Sequence, residues 1–334
     1  MQDDDQFVQW NHPLWMRAIM RGMWLLGALG VGAPSIRAMM YLRRAFIARI
    51  QPRYFAGHTP SSQDLLVCTH AKSGTNWLLQ ISVQIAHRGE ARFDHIHHLV
   101  PWPDCPLPTL PVTLDKAPTS PTGWRVTKTH LDAAYVPHDP EARYVVVLRD
   151  PRDTLVSSYH FLHSCLRGIF EVELGFGGWL EMHMAGLTPF DGWASHTASW
   201  WARRHEDNVL VLTYGELKAD LPGAVDQVAA HMGITLTSEE RAAVVRQSSF
   251  EHMKARNDAF APPFHPIRGG EMCMIREGRS GGFGTLLTPD LEERLLDHTR
   301  AALRSLGSDF PFDASYPPSR HVAPTDRKSL HCAR

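Results

Sequence analysis

Leu65-Leu66-Val67-Cys68-Thr69-His70-Ala71-Lys72-Ser73-Gly74-Thr75-Asn76-Trp77-Leu78 holds three successive local signals. Leu65 to Thr69 is an unbroken apolar and β-branched run of the length of a short buried strand. His70 to Thr75 is a loop around one glycine. From Asn76 to His87 apolar residues recur at helical spacing, at Trp77, Leu78, Ile81 and Ile85, until Gly89 stops the pattern. Strand, loop and helix in this order open an α/β unit, and in open α/β sheets ligands bind beyond the carboxyl ends of strands. Backbone N–H groups at the helix start, together with the helix macrodipole, favour an anion there. Lys72 adds a mobile cation, Ser73 and Thr75 add hydroxyl donors, and Gly74 permits close approach of the backbone. An ordinary turn without a ligand is the competing reading. The loop is not a GxxxxGKS/T phosphate loop, because Lys72 precedes the glycine.

Outward from this unit the same alternation continues. Trp124 to Lys128 reads as a second strand, Tyr144 to Leu148 as a fully buried one, and Asn208 to Thr213 as another. Helices are predicted over Arg152 to His163, around Trp193, Trp200 and Trp201, and over Leu221 to Met232, Ser238 to Gln247 and Pro289 to Leu306. Thr288 is the expected N-cap of the last, with Pro289 at its first position. Strands alternating with helices predict a mainly parallel central sheet flanked by helices on both faces. Phe93 to Pro121, rich in Pro, His and Thr, reads as a long loop region. The expected organisation is a helical arm at residues 1–60, one domain at 61–316 and a loose polar tail at 317–334.

Arg149-Asp150-Pro151-Arg152-Asp153 ends the most hydrophobic strand, so Arg149 shares a sheet edge with Lys72 if the strands are parallel. Ser157 follows on the ensuing helix. An arginine fork and a serine hydroxyl suit one phosphate; an Arg–Asp surface pair is the bland alternative.

These blocks resemble the cytosolic sulfotransferase family. Lys72-Ser73-Gly74-Thr75-Asn76-Trp77 is similar to its 5′-phosphosulfate loop, PKSGTTW. Tyr144 to Asp153, continuing to Phe161, is similar to its 3′-phosphate strand and helix. Lys128-Thr129-His130-Leu131 resembles KTHLP, and Arg276-Glu277-Gly278 with Gly281-Gly282-Phe283 resembles RKGxxGDW. The four blocks stand in the family's order, and the resemblance covers Asp64 to Leu306. It implies a P-loop-like α/β fold and transfer of a sulfuryl group from 3′-phosphoadenosine 5′-phosphosulfate (PAPS) to a hydroxyl, without a metal. It implies that Lys72, Ser73, Gly74, Thr75 and Asn76 hold the 5′-phosphosulfate. Trp77 and Tyr214 would lie by the adenine, and Ser248, Ser249, Phe250 and Met253 would line the nucleotide. Arg149 and Ser157 would take the 3′-phosphate, with Arg276 and Gly278 closing over it.

Some positions depart from the pattern. Glu277 stands where the family has a lysine, with Arg279 nearby to compensate. Gly282-Phe283 replaces Asp-Trp, and the dimer motif KxxxTVxxxE has lost its Lys and Val in Gly284 to Glu293, which puts that dimer in doubt.

In sulfuryl transfer, as in phosphoryl transfer, positioned cations and donors carry the catalysis. Lys72 is suited to the leaving phosphate. His130 is the candidate general base, since imidazole titrates near neutral pH, and Lys128, two residues earlier on a strand, points to the same side. On its own His130 would read as a structural histidine. His95, His97 and His98 form a cluster, but no metal-ligand pattern accompanies it. The Phe93 to Pro108 stretch is expected to form part of the acceptor pocket, as the equivalent family segment does.

Composition limits the partners. Net charge is −1, which argues against nucleic acid. The five scattered cysteines, without a CxxC pair, fit free thiols and a cytoplasmic location. The start, with Asp3 to Asp5, lacks a signal peptide's layout. Gly22 to Ile36 is apolar but shorter than the roughly 20 residues that span a bilayer. The arm reads either as a helix packed on the domain or as an interfacial segment in peripheral contact with a membrane, with Trp15, Met16, Met20, Trp24 and Leu25 among arginines. The expected acceptor is a phenol, an alcohol or a lipid-like hydroxyl. A nucleotide-binding pseudoenzyme at a membrane surface and a nucleoside triphosphate-dependent kinase are the alternatives. The kinase would need a phosphate loop and metal-binding carboxylates that are not recognisable.

Overall fold

The computed structural model describes residues 18, 21–22, 25–26, 28–105, 112–170, 175–188, 192–261 and 274–319. Four strands form one parallel sheet: β1 (Asp64–Thr69), β2 (Arg125–Thr129), β3 (Arg143–Leu148) and β4 (Val209–Thr213), in the order β2-β1-β3-β4. The register pairs Cys68 with Thr129, Thr69 with Val147 and Leu148 with Thr213, so all four strands end at one edge.

Alternation along the central strands separates two cores. Leu65, Val67, Val145 and Val147 face one side, where α2 (Thr75–Ala86) contributes Leu78, Ile81 and Ile85. On that side α7 (Leu221–His231) adds Val225 and Val228. Leu66, Cys68, Tyr144, Val146 and Leu148 face the other, against Trp193 and Trp200 of α5 (Trp193–Trp201) and Leu296 and Leu303 of α10 (Pro289–Ser305). A parallel sheet covered on both faces explains why β1 and β3 read as continuous apolar runs. The remaining helices are α1 (Gly32–Ile50), α3 (Pro151–Phe170), α4 (Phe176–Met184), α6 (Tyr214–Ala219), α8 (Ser238–Gln247), α9 (Phe250–Ala255) and α11 (Phe312–Ser315).

Boundaries differ from the sequence expectation where side chains close local turns. β2 starts at Arg125, not Trp124, because Trp124 closes a turn with Ser120: its N–H donates to Ser120 Oγ and its carbonyl accepts from Ser120 N–H. The helix after β3 runs to Phe170, past His163. Within Phe93 to Pro121 the chain makes two short 3-10 turns, Ile96–His98 and Leu114–Lys116, and residues 106–111 lie outside the described residues. Thr288 caps α10 by accepting from Leu291 N–H. Where the tail begins, Pro317 O accepts from Arg152 and Ser319 N–H donates to Glu292, while residues 320–334 are outside the description.

Candidate active site

The loop between β1 and α2 is shaped by two left-handed residues, Lys72 (φ 67°) and Gly74 (φ 103°). A non-glycine residue in this region is uncommon and marks functional turns. Thr69 Oγ1 and Thr75 Oγ1 lie 2.6 Å apart, tying the strand end to the helix start. The first N–H groups of α2 lack intrahelical acceptors and open at the sheet edge. Lys72 Nζ sits 3.4 Å from Met274 Sδ and 4.0 Å from the Phe161 ring centre. Ser73 is fully buried, its N–H donates to His70 O, and it is not among the residues that line the cavity.

At the end of β3, the close Arg–Asp pairing belongs to Arg152, whereas Arg149 makes a longer contact with Asp153, Nε to Oδ2 3.9 Å. Arg152 is buried against Asp150 and Glu292, each at 2.6 Å. Arg149 instead turns inward over the Tyr214 ring, 4.1 Å from its centre, and donates to Lys72 O and Arg279 O. Asp153 accepts from Gly281 N–H, so residues 276–281 are tied down beside Arg149. Within that segment Gly278 has φ 58°, and a Cβ there would fall 2.6 Å from the Phe250 ring. Arg276 Nη1 contacts Glu277 Oε1 at 2.5 Å, and Arg279 Nε lies 3.9 Å from Glu277 Oε2. Trp77 meets Tyr214 edge-to-face at 5.6 Å and donates from Nε1 to Ser248 O.

His130 follows the last residue of β2. Its N–H donates to Asp104 Oδ2 and its Nδ1 lies 2.7 Å from Thr69 O. A carbonyl only accepts, so Nδ1 carries the proton and Nε2 the lone pair. Burial, reinforced by the Lys128 charge, holds the imidazole well below its ordinary value and therefore neutral at pH 7. Lys128 is buried with Nζ 3.4 Å from the centre of the Trp102 ring, and burial lowers its pKa to about 8. Burial raises Asp104, whereas the His130 N–H lowers it.

One cavity of about 1270 Å³ gathers nearly all of these groups. Lys72, Gly74, Thr75, Asn76, Trp77, Arg149, Ser157, Tyr214, Ser249, Phe250, Met253, Arg276 and Gly278 line it, together with Lys128 and His130. Its wall holds eight Lys or Arg against four Asp or Glu, a local cationic excess in a chain of net charge −1. That excess fits a polyanionic ligand. From the arm, Met40, Arg43 and Ile47 of α1 also line it, as do Tyr54 and Tyr135.

Comparison with known proteins identifies the family and the fold. The sequence model of the sulfotransferase domain matches residues 62–307. The chain belongs to the sulfotransferase family. Sulfotransferase 1A1 of Canis lupus familiaris is 29% identical over 257 residues, 72% of this chain and 86% of that one. Human sulfotransferase 2A1 is 28% identical over 198 residues, 58% and 67% of the two chains. Among solved structures, retinol dehydratase in complex with androsterone and inactive cofactor PAP superposes with a TM-score of 0.62 at 21% identity, covering 76% of this chain and 84% of that one. A mouse sulfotransferase complexed with PAP gives 0.58 at 21% identity, covering 78% and 94%. The fold is that of the PAPS-dependent sulfotransferases and the reaction is sulfuryl transfer from PAPS. Family membership overturns the kinase alternative.

Sequence reasoning missed Trp102, Asp104 and Asp132. The first two lie in the Pro-rich loop and reach His130 because Lys128 N–H donates to Pro101 O. No periodicity announces them. Asp132 also lines the cavity, and burial raises it to about 6. The histidine cluster turns to backbone: His95 Nε2 lies 2.7 Å from Ala261 O and His97 Nδ1 lies 2.8 Å from Val100 O. No three His, Cys, Asp or Glu among the described residues converge on a metal-sized site.

Proposed function

We propose that His130 is the general base of this sulfotransferase and that the acceptor is a hydroxyl on an amphipathic, largely apolar molecule. The observation that carries the first part is the imidazole's tautomer: Nδ1–H is committed to Thr69 O, so the basic nitrogen of a neutral ring remains for the acceptor. In the reaction the acceptor O–H proton passes to Nε2 as the oxygen attacks sulfur. The bond from sulfur to the bridging phosphate oxygen breaks, and 3′,5′-adenosine diphosphate (PAP) leaves. Lys72, Gly74, Thr75 and Asn76 serve the 5′ end, where Lys72 offsets charge on the departing phosphate. Arg149, Ser157, Arg276 and Gly278 serve the 3′-phosphate, and Trp77, Tyr214, Ser249, Phe250 and Met253 the nucleoside. Ser73 supports the loop from within. Lys128 places a charge beside the sulfuryl group.

Residues 61–316 are assigned to the transfer domain, 1–60 to an arm, of which Met40, Arg43 and Ile47 line the cavity, and 317–334 to a tail. Apolar Met40, Ile47, Leu131, Tyr135, Phe161 and Leu162 line the same cavity. This lining supports an apolar body bearing a hydroxyl, and the retinol and androsterone bound by the retinol dehydratase are of that kind. The protein acts in the cytoplasm with peripheral membrane contact. Transfer of labelled sulfate from PAPS across a panel of phenols, sterols and lipid alcohols tests the reading. Product from apolar alcohols supports it. Tight PAP binding without transfer to any acceptor supports a pseudoenzyme instead.

A further inference from the structure

The arm is apolar on two faces, and the domain uses only one of them. Ile36 and Met40 of α1 are buried, and Met40, Arg43 and Ile47 line the cavity. On the opposite side Pro34, Ala38, Leu42 and Phe46 follow one another at four-residue spacing, with Tyr41 and Ala45 beside them, and all are exposed. This is an apolar stripe along a helix that turns its other side to the cavity. Leu42 is 69% exposed, Tyr41 66% and Phe46 61%. Among the described residues eight large apolar side chains are exposed, and six belong to the arm: Leu25, Leu29, Val31, Tyr41, Leu42 and Phe46. Scattered exposed apolar residues are ordinary, but a concentration on one element marks an interaction surface.

Charge selects the partner. From Gln6 to Gln63 the chain has seven arginines and no Asp or Glu, although the whole chain carries −1. Arg37 and Arg49 are exposed along one flank of the stripe, in the four-residue row that also holds Tyr41 and Ala45. An apolar stripe with flanking cations and no acids is complementary to an anionic lipid surface, where apolar side chains enter the acyl boundary and arginines meet headgroups. The helix does not cross the bilayer: no described helix is long and apolar enough. We infer that the outer face of α1 docks the protein on an anionic membrane, with the cavity-lining face of the same helix delivering an amphipathic acceptor from that surface to His130. The second half of this inference rests on the proposed acceptor site; the first does not.

The test is sedimentation of the full chain with vesicles of phosphatidylcholine alone and of phosphatidylcholine with phosphatidylserine, about three to one, at low and high salt. Binding is expected only to the anionic vesicles and is expected to weaken with salt. The triple variant Tyr41→Ser, Leu42→Ser, Phe46→Ser should lose about tenfold or more of that binding, while PAP affinity and transfer to a soluble acceptor stay unchanged. Equal binding to both vesicle types, or undiminished binding by the triple variant, overturns the inference. So does a dimer in lipid-free solution that this variant dissociates, since a second copy would then cover the stripe. If vesicle binding holds but vesicle-borne acceptors are not sulfated, docking stands and the proposed acceptor class falls.

Discussion

Replacing Glu277 by glutamine should tighten the binding of PAP. Glu277 occupies the guanidinium proposed to hold the 3′-phosphate: Arg276 Nη1 lies 2.5 Å from its Oε1, and both side chains are about one-third exposed (34% and 33%). A pair so exposed is worth about 0.2–1 kcal/mol after screening, which the phosphate must displace. Repulsion between the carboxylate and an added unit charge about 4 Å away costs roughly another 1 kcal/mol in water-like surroundings. Together about 1–2 kcal/mol is regained, or about 5–30-fold in affinity. Isothermal titration calorimetry of PAP into both proteins reads this directly. The gain should shrink as ionic strength rises. Unchanged or weaker binding by Glu277→Gln would refute the reasoning, because the carboxylate would then not oppose the bound phosphate.

Three other outcomes follow from the same geometry. The pH profile of kcat/KM should stay high through neutrality. Its acid limb should lie well below pH 6.5, because the lowered pKa of His130 keeps the ring neutral into acid, and its alkaline limb should lie near 8, where Lys128 loses its proton as pH rises. Lys128→Arg should abolish that alkaline limb, since a guanidinium does not titrate there; an unmoved limb assigns it to another group. Gly74→Ala should cost about 1–3 kcal/mol in a denaturant melt and impair PAP binding, because φ is +103° and the new Cβ would fall 2.8 Å from the Tyr214 ring. Lys72→Ala should lower kcat about 10²–10³-fold with a smaller effect on PAP affinity, read by rapid quench and calorimetry.

The strands legible in the sequence were those buried on both faces. Leu65 to Cys68 and Tyr144 to Leu148 are continuous buried runs because helices cover both sides of the sheet. β2 was less legible: Arg125, Thr127, Lys128 and Thr129 are polar, and its start depends on the Ser120–Trp124 turn. The glycine loop and Arg149 were legible because parallel strands put their ends at one edge. Trp102 and Asp104 were not, since only a long-range backbone contact, Lys128 N–H to Pro101 O, carries their loop to His130. Glu277 was conspicuous in sequence and Arg279 stood out beside it, but the close contact of Glu277 with Arg276 emerges only from the folded segment. For the arm, the described part of the helix packs on the domain with one face, while Leu25 is exposed and Trp15, Met16, Met20 and Trp24 lie outside the described residues.

In the proposed reaction His130 takes the acceptor's proton. The measurement closest to it is the single-turnover rate of sulfuryl transfer by His130→Ala, with PAP affinity measured on the same preparation and Asp132→Asn run beside it. A loss of about 10²–10⁴-fold in rate with PAP affinity within about twofold, and a far smaller loss for Asp132→Asn, is the predicted result. Near-normal transfer by His130→Ala, or a collapse confined to Asp132→Asn, would contradict the assignment and move the base to the aspartate.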